Sequence, residues 1–249
     1  MKHTIKRMIA KAGYELRRTN RRDFLLLEND EFYGDLYQKG SLLTGTPDGG
    51  DKRFARFYNL VQFFSFVGHL QGAVAECGCW RGLSSYLLCH YAKLADATFV
   101  GDGYEIYDSF EGLSVPISED KIRDLHLISH LGEIGGQTGN FAASDETVRI
   151  SLADFPKIEY VKGWIPEVFR NRSAIVNYKF VHVDLDLYAP TKGAISHFFP
   201  MLVKGGILVC DDYGSLRWPG AKRAVDEYCC ENKVGFVPLS TGQAVLFKA

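Results

Sequence analysis

No stretch of roughly 18 apolar, uncharged residues occurs in the 249-residue sequence, which excludes a membrane-spanning helix. A secretory leader is not expected either. The basic N-terminus lacks a continuous apolar core and a small-residue cleavage site, so a cytoplasmic location is expected. The six cysteines (Cys77, Cys79, Cys89, Cys210, Cys229 and Cys230) have neither disulfide-framework nor zinc-ribbon spacing and read as reduced core thiols. No P-loop, no three-glycine dinucleotide fingerprint and no Ser-His-Asp order stands out. Nucleotide hydrolysis, dinucleotide-dependent redox chemistry and nucleophilic hydrolysis are therefore poor readings. Charge of one sign is missing as well: 29 basic residues against 30 acidic ones argue against a general nucleic-acid binder.

What is present is an ordinary globular composition, 46% hydrophobic and 24% charged. A chain of this size buries about 70–75% of its unfolded surface and needs neither disulfides nor metal to fold. The balanced total conceals an asymmetry. Residues 1–22 carry eight Lys or Arg and the single acid Glu15, a surplus of +7, so the remainder carries −8. Ile5, Met8, Ile9 and Ala12 recur at helical spacing among these cations. The pattern predicts a short basic amphipathic helix and an Arg-rich connector, either packed on the body or serving as a peripheral membrane foot or oligomer contact. The expected division is a basic helix-and-linker extension over 1–50 and one domain over 51–249, with assembly as a homo-oligomer.

After a Gly/Pro-rich loop at 44–51 and a helix over 53–70, strands and helices alternate. Strands are expected at 73–76, 98–107, 158–161, 180–187 and 207–210. Helices are expected at 83–94, 144–152, from Pro190 to about 203, and 219–231. Gly205-Gly206 reads as the stop of the helix opened by Pro190. Segments 235–239 and 244–248 form a closing hairpin. This order predicts an α/β fold with a doubly wound, mostly parallel sheet and an antiparallel C-terminal hairpin. Its ligand site belongs at the carboxyl ends of the strands, near the switch in strand order.

The loop after the first strand reads Glu76-Cys77-Gly78-Cys79-Trp80-Arg81-Gly82. Gly78 and Gly82 suit a tight turn that lets a ligand approach bare backbone at a helix N-terminus. Together with Y-D-S-F-E-G-L at 107–113, V-K-G-W-I-P-E-V at 161–168, V-D-L-D-L-Y-A-P-T-K at 183–192 and C-D-D-Y-G at 210–214, the wording A-E-C-G-C-W-R-G-L-S at 75–84 resembles one family. That family is the macrocin O-methyltransferase group of class I S-adenosylmethionine-dependent methyltransferases, which methylate sugar hydroxyls. The resemblance covers about residues 55–249 and implies a seven-stranded Rossmann-like sheet with S-adenosylmethionine as cofactor. It implies that Glu76, Gly78 and Arg81 lie along the methionine part of the cofactor. Asp108 would bind the ribose hydroxyls, with Ser109 and Phe110 beside it, and Trp164 would border the adenine or substrate pocket.

A carboxylate cluster is the second signal. Asp184 and Asp186 stand two apart at the end of the fourth strand and share a face, and Asp211 and Asp212 follow the fifth. Two bare charges at 4 Å repel by roughly 4 kcal/mol at an effective dielectric near 20, so such a cluster calls for a cation or raised pKa values. Oxygen-only ligands point to Mg²⁺, with Mn²⁺ or Ca²⁺ as substitutes. The resemblance implies the same metal dependence, with one strand-four Asp plus the Asp211-Asp212 pair. Spacing leaves open which of Asp184 and Asp186 is the ligand and which a base. His182 could also be a base, though a satisfied core histidine suits it better. Tyr188, Lys192, Tyr213 and Arg217 could contact a sugar, and the glycine-rich 132–139 segment could form a lid.

The expected activity is metal-dependent methylation of a sugar hydroxyl in a glycoside, polysaccharide or lipid-linked glycan. The alternatives are methylation of a catechol-like diol and a non-catalytic cofactor-binding scaffold. Deleting residues 1–22 tests the membrane foot by liposome flotation. Loss of binding to anionic vesicles with retained activity on a soluble glycan is expected. Wild-type protein that never floats would contradict the foot.

Overall fold

The computed structural model describes residues 30–249 apart from 48, 125–127, 130, 131, 133, 134 and 172–175. The basic helix and connector expected over 1–22 lie outside the described residues. Seven strands form one sheet: β1 (Ala73–Cys77), β2 (Tyr104–Asp108), β3 (Glu159–Lys162), β4 (Tyr178–Val183), β5 (Leu202–Cys210), β6 (Phe236–Pro238) and β7 (Ala244–Phe247). Their order is β3-β2-β1-β4-β5-β7-β6. Neighbours from β3 to β5 run parallel, and β7 is antiparallel to both β5 and β6. The doubly wound sheet with a C-terminal antiparallel hairpin matches the expectation from sequence.

Helices cover both faces. On one side lie α1 (Glu31–Thr44), α2 (Gly50–Phe66), α3 (Leu83–Ala95) and α4 (Asp145–Ser151); on the other lie α5 (Tyr188–Met201) and α6 (Pro219–Asn232). The two-residue period of each strand divides the core. Val74, Ile106, Val209 and Val245 face the first helical layer, whereas Ala75, Tyr107, Leu208 and Leu246 face the second. Among the described residues no helix is long and apolar enough to cross a membrane. All six cysteines are free, and five are buried. Burial pushes the thiols of Cys77, Cys79, Cys89 and Cys210 well above their usual range, as expected of inert core groups.

Helix α1 lies within the stretch read from sequence as extension and linker. Its Tyr33 and Leu36 are buried in the same core as α2 and α3. Gly40 permits the close approach, since a Cβ there would come within 2.6 Å of the Tyr86 ring and 2.8 Å of Leu83. Asp30 caps the helix by accepting from the Tyr33 N–H at 2.9 Å.

Three of the boundaries that differ from the sequence expectation have an evident local context. Strand β2 begins at Tyr104, not at 98, because Gly101 and Gly103 both adopt positive φ and keep the chain in a turn. Helix α5 stops at Met201, and Gly205-Gly206 lie inside β5. There Gly206 answers a packing need: a Cβ would stand 2.9 Å from the Val203 carbonyl and 3.2 Å from that of Lys179. Strand β4 ends at Val183, before both of its acids.

Phe198 of α5 packs edge-on against Tyr107, Phe169 and Tyr178 and is fully buried. Phe198→Ala should lower unfolding stability by about 3–5 kcal/mol in urea titration. A loss under about 1 kcal/mol would contradict this packing.

Candidate functional site

The site grows from one row of the sheet. Tyr107, Cys77, Val183 and Cys210 are register partners across β2, β1, β4 and β5. The next residues on these strands are Asp108, Gly78, Asp184 and Asp211, and backbone bonds continue the row. The Gly78 N–H donates to Tyr107 O, that of Asp184 to Cys77 O and that of Asp211 to Val183 O, each at 2.9 Å. Three acids and one glycine thus emerge side by side at the carboxyl end, where strand order reverses between β1 and β4. They line one cavity of about 250 Å³ together with Cys79, Arg81, Ser109, Asp186 and Asp212.

Gly78 lines the cavity and also has a packing role. A Cβ there would stand 2.0 Å from the Asp184 carbonyl oxygen. The missing side chain therefore seats the β4 terminus against the first loop, and its φ of +82° suits glycine alone. Gly82 packs on α4 and opens α3 with no side-chain cap, leaving the first N–H groups of that helix to the cavity edge at Leu83 and Ser84.

Asp108 is anchored by backbone. Its Oδ2 accepts from the Cys79 N–H at 2.8 Å and its Oδ1 from the Phe110 N–H at 2.7 Å. An ionised carboxylate has about four acceptor sites, so each oxygen keeps one for a ligand. Ser109 lines the cavity, and its hydroxyl accepts from the Glu111 N–H at 3.1 Å. Phe110 does not line it; its contribution is the backbone donor to Asp108.

Glu76 does not reach the cavity. The carboxylate is fully buried, where Oε1 lies 2.9 Å from His182 Nδ1 and Oε2 accepts from the Ser85 and Tyr104 hydroxyls. Burial alone would raise its pKa. The hydrogen bond and charge of His182 with the Ser84 and Ser85 hydroxyls outweigh that, and the net shift is downward. His182 is equally buried, and its Nε2 sits 3.8 Å from Asp211 Oδ1.

The carboxylates converge as expected but by a different route. With β4 ended at Val183, Asp184 and Asp186 do not share a strand face. Asp186 instead takes a left-handed φ of 57°, which folds its side chain back. Oxygens of Asp184, Asp186 and Asp212 lie within 4.8 Å of one another, and so do ligand atoms of His182, Asp184 and Asp211. Burial, then Asp212 and Asp184, push Asp186 well above the usual carboxylate range. Burial and Asp184 push Asp212 up to about 7 against the pull of Arg56. One Asp212 oxygen is buried without a hydrogen-bond partner. An oxygen-only set short of positive charge fits a hard divalent cation.

Sequence reasoning missed Arg56 and Gln243. The Arg56 guanidinium pairs with Asp211 and approaches Asp212 Oδ1 at 3.5 Å. Gln243 Nε2 donates to Asp211 Oδ1 at 2.8 Å. The mouth is aromatic: Trp164 lines it as expected, with Trp80, Phe141 and Trp218. Trp80, Phe141 and Asp186 all have positive φ, a conformation costing of order 1–3 kcal/mol each that concentrates at functional sites. Tyr188, Lys192, Tyr213 and Arg217 are not among the lining residues. The first two bind Glu227, tying α5 to α6, while Tyr213 donates to Asp226 and Arg217 to the Gly135 carbonyl. His197 stacks on Phe169 with ring centroids 3.9 Å apart.

A family model described as Macrocin-O-methyltransferase (TylF) matches residues 43–241. Demethyldecarbamoylnovobiocin O-methyltransferase of Streptomyces niveus is 24% identical over 184 residues, 72% of this chain and 66% of the relative. A Streptomyces olivaceus protein named 8-demethyl-8-(2,3-dimethoxy-alpha-L-rhamnosyl)-tetracenomycin-C 4'-O-methyltransferase is 28% identical over 148 residues, 57% of this chain and 53% of the relative. The chain thus spans between about half and two thirds of the length of these curated relatives. Among solved structures, CalS11, a calicheamicin methyltransferase, superposes with a TM-score of 0.64 at 16% identity, covering 92% of this chain and 99% of that one.

Glu76→Gln should cost about 1–3 kcal/mol at pH 7, because the amide keeps one acceptor but loses the charge-assisted hydrogen bonds and turns a donor toward the Ser85 and Tyr104 hydroxyls. The lowered folded-state pKa of Glu76 stabilises above its unfolded value and loses that effect as pH falls through the folded one. Acid melts followed by circular dichroism should therefore be less steep in the variant. Unchanged stability at pH 7 would contradict the network.

Proposed function

The chain belongs to the macrocin O-methyltransferase family, and on that premise we propose that it transfers a methyl group from S-adenosylmethionine to a sugar hydroxyl of a glycoside, with a divalent cation at its carboxylate cluster. The observation that carries this reading is the shared cavity. Asp108 at the end of β2 and the four acids at the ends of β4 and β5 line the same space. Two relatives bear names that give them as O-methyltransferases, one of them on a rhamnosyl group.

S-adenosylmethionine supplies an electrophilic methyl group, and a divalent ion lowers the pKa of a nearby hydroxyl. The chain's own residues do the rest. Asp108 keeps one acceptor site per oxygen for the two ribose hydroxyls, and the Cys79 and Phe110 N–H groups stop it from turning away. Arg81 stands at the cavity wall beside Trp80, and its guanidinium donates to the Gly45 carbonyl. Its remaining donors suit the amino-acid carboxylate of the cofactor. Asp211, Asp212 and one of Asp184 and Asp186 would hold the cation, and Mg²⁺ suits such a set best, with Mn²⁺ or Ca²⁺ as substitutes. Whichever of Asp184 and Asp186 does not hold the cation is suited to take the hydroxyl proton as the oxygen attacks. Holding nucleophile and methyl in line is worth up to roughly 7–11 kcal/mol by effective-molarity data.

The family match and the relative named for a rhamnosyl-bearing substrate favour a glycoside over a small flat diol. Trp80, Phe141 and Trp218 meet edge to face, with centroids 5.6 and 6.3 Å apart, and would suit either acceptor.

Two variants separate cofactor binding from chemistry. Asp108→Ala should weaken S-adenosylhomocysteine binding in calorimetry by about 10–100-fold, the worth of one or two charge-assisted hydrogen bonds. Asp212→Asn should abolish turnover and leave that binding intact. Full S-adenosylhomocysteine affinity in Asp108→Ala would contradict the cofactor assignment.

A further inference from the structure

The carboxylate cluster already contains a cation of its own. Arg56 stands on α2, and its guanidinium lines the cavity. One nitrogen, Nη2, is directed at three oxygens: it pairs with Asp211 Oδ2, approaches Asp212 Oδ1 at 3.5 Å and the Asp211 carbonyl at 3.4 Å. The neighbouring Nε is buried without a hydrogen-bond partner, so the Nε–Nη2 edge grips through one nitrogen. The backbone beneath is fixed independently. Gln243 Nε2 donates to the Arg56 carbonyl at 3.2 Å and to Asp211 Oδ1 at 2.8 Å, so one buried amide sets the helix and the carboxylate together.

We infer that Arg56 is an internal counter-cation that competes with the divalent ion for Asp211 and Asp212, so that metal loading displaces its guanidinium. The inference rests on the metal reading given above. Arg56 and a divalent ion on the buried Asp211 and Asp212 would place two centres of positive charge within a few ångströms of each other, so each weakens the hold of the other. One guanidinium is also too little for four acids. One Asp212 oxygen stays buried without a hydrogen-bond partner beside Arg56, an acceptor open to a further cation. Among the described residues the guanidinium forms ion pairs with these two acids, and a grip through Nη2 alone costs less to release than a full bidentate pair. The arrangement keeps the acids apart from one another in the empty protein and makes its metal affinity lower than the carboxylates alone would set.

The test is a calorimetric titration of MnCl₂ into the EDTA-stripped full chain and its Arg56→Gln and Arg56→Lys variants. Removing the competitor should tighten Mn²⁺ binding in Arg56→Gln by a factor within the 5–150-fold range of ordinary site couplings, about tenfold at least. Arg56→Lys keeps the charge on a shorter arm and should fall between the two. Equal affinities in all three overturn the inference and leave the metal reading standing. Weaker binding in Arg56→Gln overturns it too and makes Arg56 a support of the site. Absence of Mn²⁺ binding in all three overturns the metal reading with it. If Arg56→Gln fails to fold, a crystal structure of the wild-type chain grown with MnCl₂ decides the question. The ion on the carboxylates with Arg56 withdrawn from Asp211 supports the inference, and the ion present with that pair intact overturns it.

Discussion

The repulsion among Asp184, Asp186, Asp211 and Asp212 is the constraint on which the rest of the site depends. Four acids at neighbouring strand ends would drive one another apart or take up protons, and both answers are visible. Asp186 and Asp212 have raised proton affinity, while Arg56 and Gln243 hold Asp211. The sheet register brings the acids there in the first place, because β1, β4 and β5 end on one row. Gly78 permits that row to close, for any side chain on it would occupy the space of the Asp184 carbonyl. A glycine in the first loop and an acid 106 positions later are thus one structural unit.

The same row joins the two halves of the chemistry. Asp108 lies one strand beyond Gly78, with its carboxylate fixed by the backbone of the first loop, so the ribose-binding candidate and the acidic cluster are set by a common framework. Behind them the Glu76–His182 pair braces β1 against β4 from within the core, with His182 Nε2 3.8 Å from Asp211 Oδ1. Of the five described non-glycine residues with positive φ, Trp80, Phe141 and Asp186 line the cavity, Phe110 adjoins it and Lys233 ends α6. Three such residues on one wall fit a site whose shape matters more than its own stability.

Much of this was legible in the sequence, for identifiable reasons. Buried parallel strands leave short apolar runs bounded by turn residues, so the strand order and closing hairpin could be read. The paired acids stood out because they follow such runs directly. Helix α1 escaped notice because two of its four buried positions are Gly40 and Thr44, which a hydrophobic period does not register. The end of α5 was misplaced because a Gly-Gly pair reads as a helix stop, although here the pair serves close packing inside β5. Glu76 looked like a cofactor contact because its partner His182 lies far along the chain. Arg56 was invisible for the same reason, since nothing local to α2 marks it as the partner of Asp211.

The central claim is that one cavity holds a methyl donor beside a carboxylate cluster whose cation activates a sugar hydroxyl. The most direct measurement is methyl transfer from labelled S-adenosylmethionine to a panel of glycosides and simple catechols, run on EDTA-treated enzyme with and without added Mg²⁺. The account predicts label on a glycoside, lost on EDTA treatment and restored by Mg²⁺. Transfer that persists undiminished after exhaustive EDTA treatment, or that occurs only on catechols, would contradict it.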